Sequence, residues 1–144
     1  MLHSNTIKYF IFALLLYTMK KIISTSKAPA AIGPYSQANM VNGVLYISGQ
    51  IPVDPASGRL VEGIEKETHQ VMKNLQAILE EAGLGFKNVV KATIFLKNMD
   101  DFAVMNDIYA SYLDEESYPA RETVQVSCLP KNVDIEISMI AHQF

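Results

Sequence analysis

Over residues 65–82 small or apolar side chains return every three or four positions: Thr68, Val71, Met72, Leu75, Ile78, Leu79 and Ala82. That period puts them on one stripe of a helix. Glu67, Lys73, Gln76, Glu80 and Glu81 read as the opposite, polar face, and Gly83 supplies a left-handed stop. A helix with one apolar face must lay it on another layer, and the neighbouring runs read as strands. Lys20–Ser24, Tyr35–Met40 and Val44–Gln50 precede it, with Asn42-Gly43 as a hairpin turn between the last two. Residues 88–96 (NVVKATIFL) follow it as a central strand. Asp100 or Asp101 then caps a second helix through about Leu113, with Phe102, Met105, Tyr109 and Tyr112 or Leu113 turned inward. Arg121–Ser127 and Val133–Ala141 are the last strands, joined by Leu129-Pro130-Lys131-Asn132. The order β-β-β-α-β-α-β-β specifies an α+β layer: a mixed sheet of about six strands with two helices on one face. The other face is left to water or a partner.

Residues 1–18 differ from this pattern. Their apolar run, YFIFALLLY at 9–17, is shorter than the ~20 residues that span a bilayer. It has the length of a signal-peptide core, but no small-residue cleavage site follows, and Lys20-Lys21 lie on the wrong side of it. Met19 therefore reads as the start of a single domain covering 19–144, with 1–18 as upstream translated sequence. A weak signal or anchor is the alternative, and a packed extension the third reading.

Several chemistries are excluded by what is missing. The only cysteine is Cys128, so no intramolecular disulfide and no four-cysteine zinc site can form, and Cys128 reads as structural. His3, His69 and His142 lack metal-ligand spacing. The chain's formal net charge is −3 and the domain's is −4, since Lys8 is the one charged residue before Met19. That balance argues against a large phosphate-binding surface. No G-x-S-x-G elbow, phosphate-binding glycine loop, dinucleotide fingerprint or H-E-x-x-H occurs.

A few polar residues remain. In the last strand Val133, Ile135, Ile137 and Met139 alternate with Asp134, Glu136 and Ser138. Glu136 is therefore a mid-strand carboxylate on the non-core face. It is either a solvated glutamate or, if another subunit covers that face, a general acid/base. Arg121 shares a face with Thr123 and Gln125, and Val124 and Val126 suggest that the opposite face is core. That places Arg121 on Glu136's side. It reads equally as a surface ion pair or as a guanidinium fork for a carboxylate. By the same alternation Glu122 points away from Arg121. Tyr35 closes a Gly33-Pro34 loop, Gly49 lies in a strand-ending Ser-Gly-Gln, and Asn106 lies between Phe102 and Tyr109. Each has an ordinary structural reading as well.

Four stretches together are more specific than any one of them: Ala31-Ile32-Gly33-Pro34-Tyr35-Ser36-Gln37-Ala38; Ser48-Gly49-Gln50-Ile51-Pro52; Tyr118-Pro119-Ala120-Arg121; and Leu129-Pro130-Lys131 followed by Ile135-Glu136-Ile137. In order and spacing they resemble the RidA/YjgF family over residues 20–142. The resemblance implies a chorismate-mutase-like fold, a cytoplasmic homotrimer and clefts between subunits. It implies hydrolytic deamination of reactive 2-enamine and 2-imine carboxylates, such as 2-aminoacrylate, without metal or organic cofactor. Arg121 would hold the carboxylate, Glu136 would activate water, and Tyr35 would stand near the substrate. Gly49 and Asn106 match cleft-lining positions. Thr123 stands where many relatives have cysteine, and its backbone N–H remains available to the ligand. Endoribonuclease or translation inhibition, also attributed to some relatives, and a non-catalytic metabolite-binding trimer are the competing functions.

Overall fold

The computed structural model describes residues 19–144, so the reading of residues 1–18 lies outside the described residues. Strands β1 (Lys21–Ile23), β2 (Ala38–Val41) and β3 (Val44–Gln50) form an antiparallel meander. Asn42 (φ 50°) and Gly43 (φ 77°) make the expected hairpin turn, with Val41 paired to Val44. Helix α1 (Ile64–Glu81) is followed by β4 (Val89–Leu96), α2 (Phe102–Ser111), β5 (Ala120–Gln125) and β6 (Ile135–His142). The strands lie in one six-stranded sheet in the order β1-β2-β3-β6-β4-β5. Among the described residues only the β4–β5 pair is parallel, which makes the sheet mixed.

The register sorts side chains between faces. Ala92, Ile94 and Leu96 of β4 pair with Met139, Ile137 and Ile135 of β6, and all six are buried. With Leu45 and Ile47 they form the floor on which Val71, Met72, Leu75, Ile78 and Leu79 of α1 and Met105 of α2 pack. Burying each of these larger side chains is worth ~1.5–3 kcal/mol. The α1 stripe ends as expected: Gly83 (φ 74°) donates to Glu80 and Leu84 to Leu79, a left-handed Schellman stop. The alternation of β6 also holds, with Glu136 and Ser138 on the face without helices.

The structure corrects several expectations. Glu67 is not on the outer face of α1; it is 5% exposed, one turn before Val71, and its carboxylate accepts the Asp134 N–H at 2.8 Å. Its polarity suggests an outward place, but its angular position is that of the apolar stripe. Asp101 holds the N-cap position of α2, as expected of one of the two aspartates, but its backbone is already helical and its side chain makes no cap hydrogen bond. A single 3-10 turn, Met99–Asp101, leads into the helix, and Asn98 caps that turn by accepting the Asp100 N–H. Phe102, expected inward, is 36% exposed. Finally, Arg121, Thr123 and Gln125 pair with Ala92, Ile94 and Leu96, so they lie on the helix face. Strand β5 is the sheet's edge and Val124 is exposed, so its valines do not report the core. Arg121 and Glu136 therefore stand on opposite faces of the sheet, not on the same one.

Candidate active site

Arg121 enters β5 directly after Tyr118-Pro119-Ala120, where the proline fixes the turn of the chain into the strand. Its side chain rises toward α2. Nη1 donates to Asn106 Oδ1 at 2.9 Å, and the guanidinium carbon lies 5.1 Å from the Tyr109 ring centre and 5.6 Å from that of Phe102. Arg121, Asn106 and Tyr109 border an open cavity of about 380 Å³, whose other walls are Ala110, Tyr118 and Pro119. Burial pushes the Tyr109 phenol up to about 12, with the Arg121 charge pulling the other way. Thr123, two residues on and on the same face, has a buried hydroxyl with no hydrogen-bond partner. No ion pair to Arg121 occurs among the described residues. Glu122 does not compete for it: as its alternation predicts, it turns away, accepts from Thr93 at 2.5 Å and pairs with Lys91 at 2.6 Å. Those two partners hold its carboxyl below the usual range.

Glu136 occupies a second cavity on the other face, about 340 Å³, with Tyr35, Ser48, Gly49, Ile51, Pro130 and Lys131 among its walls. A bulge in β3 builds it. Ile47 pairs with Met139 and Gln50 with Ile137, so Ser48 and Gly49 together face the single Ser138. Gly49 thereby lies over the Glu136 side chain. A Cβ at position 49 would overlap Glu136 Oε1 and come 2.8 Å from its Cδ, so only glycine leaves the carboxylate its place. Burial raises the Glu136 pKa, and no cation pairs with it among the described residues. Tyr35, half exposed, is held by its N–H donating to Gly33 O at 2.8 Å, with its ring against Gly33.

The loop carrying Tyr35 is tied down by residues whose part the sequence did not disclose. Gln37 is 3% exposed; its amide donates to the carbonyls of Thr25, Ala28 and Pro29, and its oxygen accepts the Thr25 N–H. Ser48 Oγ donates to Ser36 O at 2.7 Å, joining the loop to the bulge. Both lie inside the stretches that carry the family resemblance, and a polar residue within such a stretch was the available signal. The contribution of Phe102 and Tyr109 to Arg121 was likewise hidden, because their spacing reads as core.

The structure thus brings Arg121 and Asn106 together, with Thr123 beside them, and separately brings Tyr35, Gly49 and Glu136 together. One half offers an uncompensated cation for a planar anion, the other an uncompensated carboxylate able to take and return a proton. Among the described residues no cluster of three or more metal-ligating side chains occurs, and no helix is long and apolar enough to cross a membrane.

Residues 25–143 match the family model described as endoribonuclease L-PSP. A 2-iminobutanoate/2-iminopropanoate deaminase of Bos taurus is 52% identical over 126 residues, covering 87% of this chain and 91% of its own. A Lactococcus lactis protein described as a candidate regulator, AldR, is 57% identical over 122 residues, 84% of this chain and 96% of its own. Among solved structures, a Rid-family protein from Yersinia pestis superimposes with a TM-score of 0.85 at 52% identity, covering 87% of this chain and all of its own. Matching motifs, fold and near-complete coverage lead to one assignment: the chain belongs to the endoribonuclease L-PSP family, that of the RidA/YjgF proteins.

Proposed function

We propose that this protein hydrolyses 2-enamine and 2-imine carboxylates to 2-keto acids and ammonia, in clefts formed between copies of the chain. The observation that carries the proposal is the division of charge. Arg121 and Glu136 each face an open cavity, neither has an ionic partner among the described residues, and they lie on opposite faces of one sheet. A head-to-tail contact would place the Glu136 face of one copy against the Arg121 edge of the next. Such heterologous contacts close into rings, and a trimer is the ring proposed. Relatives named as 2-iminobutanoate/2-iminopropanoate deaminases support the choice of reaction.

The chemistry asks little of the site. Arg121 binds the substrate carboxylate through paired N–H groups, with the Thr123 N–H beside it and Asn106 holding the fork. The imine carbon next to that carboxylate is already electrophilic. Glu136 takes a proton from water as its oxygen adds to that carbon and the C=N π pair moves to nitrogen. Returning that proton to nitrogen gives the carbinolamine; Glu136 then takes the hydroxyl proton and passes it to nitrogen, so that the C–N pair leaves with ammonia as the C=O of the keto acid forms. Fixing water and substrate together can supply several orders of magnitude in rate. Gly49 keeps the carboxylate's position free, and Tyr35 borders the reacting centre. In the assembled cleft, burial raises the Glu136 pKa and a neighbouring Arg121 lowers it.

The test is a coupled assay in which a serine or threonine dehydratase generates 2-aminoacrylate or 2-aminocrotonate, with semicarbazide trapping the imine. The wild-type chain is expected to speed keto-acid release; Arg121→Ala and Glu136→Ala, still assembled, are expected to lose at least about a hundredfold in kcat/KM. An active Arg121→Ala protein would overturn the assignment. Binding of keto acids without turnover of any imine would favour a metabolite-binding trimer, and RNA cleavage abolished by a site substitution would favour the nuclease.

A further inference from the structure

Phe102, Asn106 and Tyr109 lie at i, i+4 and i+7 of α2, so one helix face presents ring, amide and ring in a row. Arg121 is the side chain this row meets: Nη1 on Asn106, and the guanidinium within cation–π reach of both rings at 5.6 and 5.1 Å. All three contacts are neutral. They fix the plane of the fork without cancelling its charge, which a carboxylate partner would do. Two details point the same way. Phe102 stays 36% exposed, an unfavourable place for a phenyl ring that only fills core. Tyr109 is 4% exposed, yet its hydroxyl has no hydrogen-bond partner, so the ring and not the phenol is what the site uses.

We infer that Phe102 and Tyr109 are positioning residues for Arg121, an aromatic cradle that presets the guanidinium for the substrate carboxylate and so makes the site selective for 2-imino acids over neutral imines. This rests on the reading of Arg121 as the carboxylate anchor. The cradle acts on binding: the ground state and the transition state carry the same carboxylate, so losing a ring raises KM and leaves kcat nearly unchanged.

The experiment uses the full chain and two readouts, steady-state kinetics in the coupled assay and calorimetric binding of 2-oxobutanoate and its neutral amide. Phe102→Leu is expected to raise KM and the 2-oxobutanoate Kd by about three- to tenfold, with kcat within about twofold and the amide unaffected. Phe102→Tyr, which keeps a ring over the guanidinium, is expected to restore wild-type values. Should Phe102→Leu assemble poorly, Phe102→Met also removes the ring from this partly exposed position and is expected to give the same split. Arg121→Ala separates the two levels of the argument. If it loses 2-oxobutanoate binding while both ringless Phe102 variants bind normally, the cradle is wrong and the function stands. If Arg121→Ala binds 2-oxobutanoate as wild type does, the anchor reading falls and the cradle falls with it. Equal loss of kcat and binding in Phe102→Leu that Phe102→Tyr does not rescue would also overturn the cradle.

Discussion

Gly49 and Glu136 form a pair in which one residue's absence of a side chain defines the other's place. Gly49→Ala puts a methyl group onto the carboxylate, so it is expected to cost about 1–3 kcal/mol in urea unfolding and to lower kcat. In a Glu136→Ala background the collision has no partner, and most of that stability cost is expected to vanish, which a double-mutant cycle measures. Glu67 carries a separate, pH-linked prediction. Burial first, and then the nearby Asp134 charge, raise its pKa in the folded protein. A raised folded pKa means that its contribution to stability is complete below the unfolded value and is lost as pH rises through the folded one. Glu67→Gln keeps an acceptor for the Asp134 N–H and removes the ionisation. The loss of stability as pH rises above the ordinary carboxylate range is therefore expected to flatten, as followed by urea midpoints across pH. Neither residue's role was legible in sequence. Polarity alone sends Glu67 outward, and nothing around Gly49 in the chain shows that its missing side chain makes room for Glu136.

Elements were more legible than the faces they present. The periods of α1 and β6 act over long stretches with one face buried, so they specify both element and orientation. Strand β5 does not, because an edge strand with two half-exposed faces has no apolar side to declare; Val124 and Arg121 differ in polarity but hardly in burial class. Only its parallel register with β4 decides, pairing Arg121 with the buried Ala92. The expected strand from Tyr35 likewise begins only at Ala38, because Gln37 spends its amide holding the loop before it. Gln37→Leu would orphan those carbonyls and the Thr25 N–H. It is expected to destabilise the chain by about 3 kcal/mol or more in urea unfolding and to open residues 25–37 to proteolysis.

At the scale of the whole molecule, the sheet face without helices is the unresolved surface of a single chain. Tyr46 and Val124 are exposed there, and Glu136 sits among their neighbours. Burying that face between copies is the proposed use, and Val124→Arg is expected to shift sedimentation toward the monomer with loss of activity. Complementation tests the division of labour more sharply. Co-assembled Arg121→Ala and Glu136→Ala chains, each inactive alone, are expected to regain about a quarter of wild-type activity, since random mixing makes about one cleft in four from two intact halves. No recovery in verified mixed trimers would place both groups in one chain's site.

The separation of Arg121 from Glu136 across the sheet also gives the proposed assembly a polarity, like a row of links each with a hook and an eye. An open row of copies always ends in one unused hook and one unused eye, of opposite charge. Closure is the only arrangement with no remainder, so partly assembled rings stay mutually attractive until they are complete. On that proposed arrangement catalysis is expected to depend on protein concentration: diluted below the point of assembly, every chain would keep all its residues and none would keep a site.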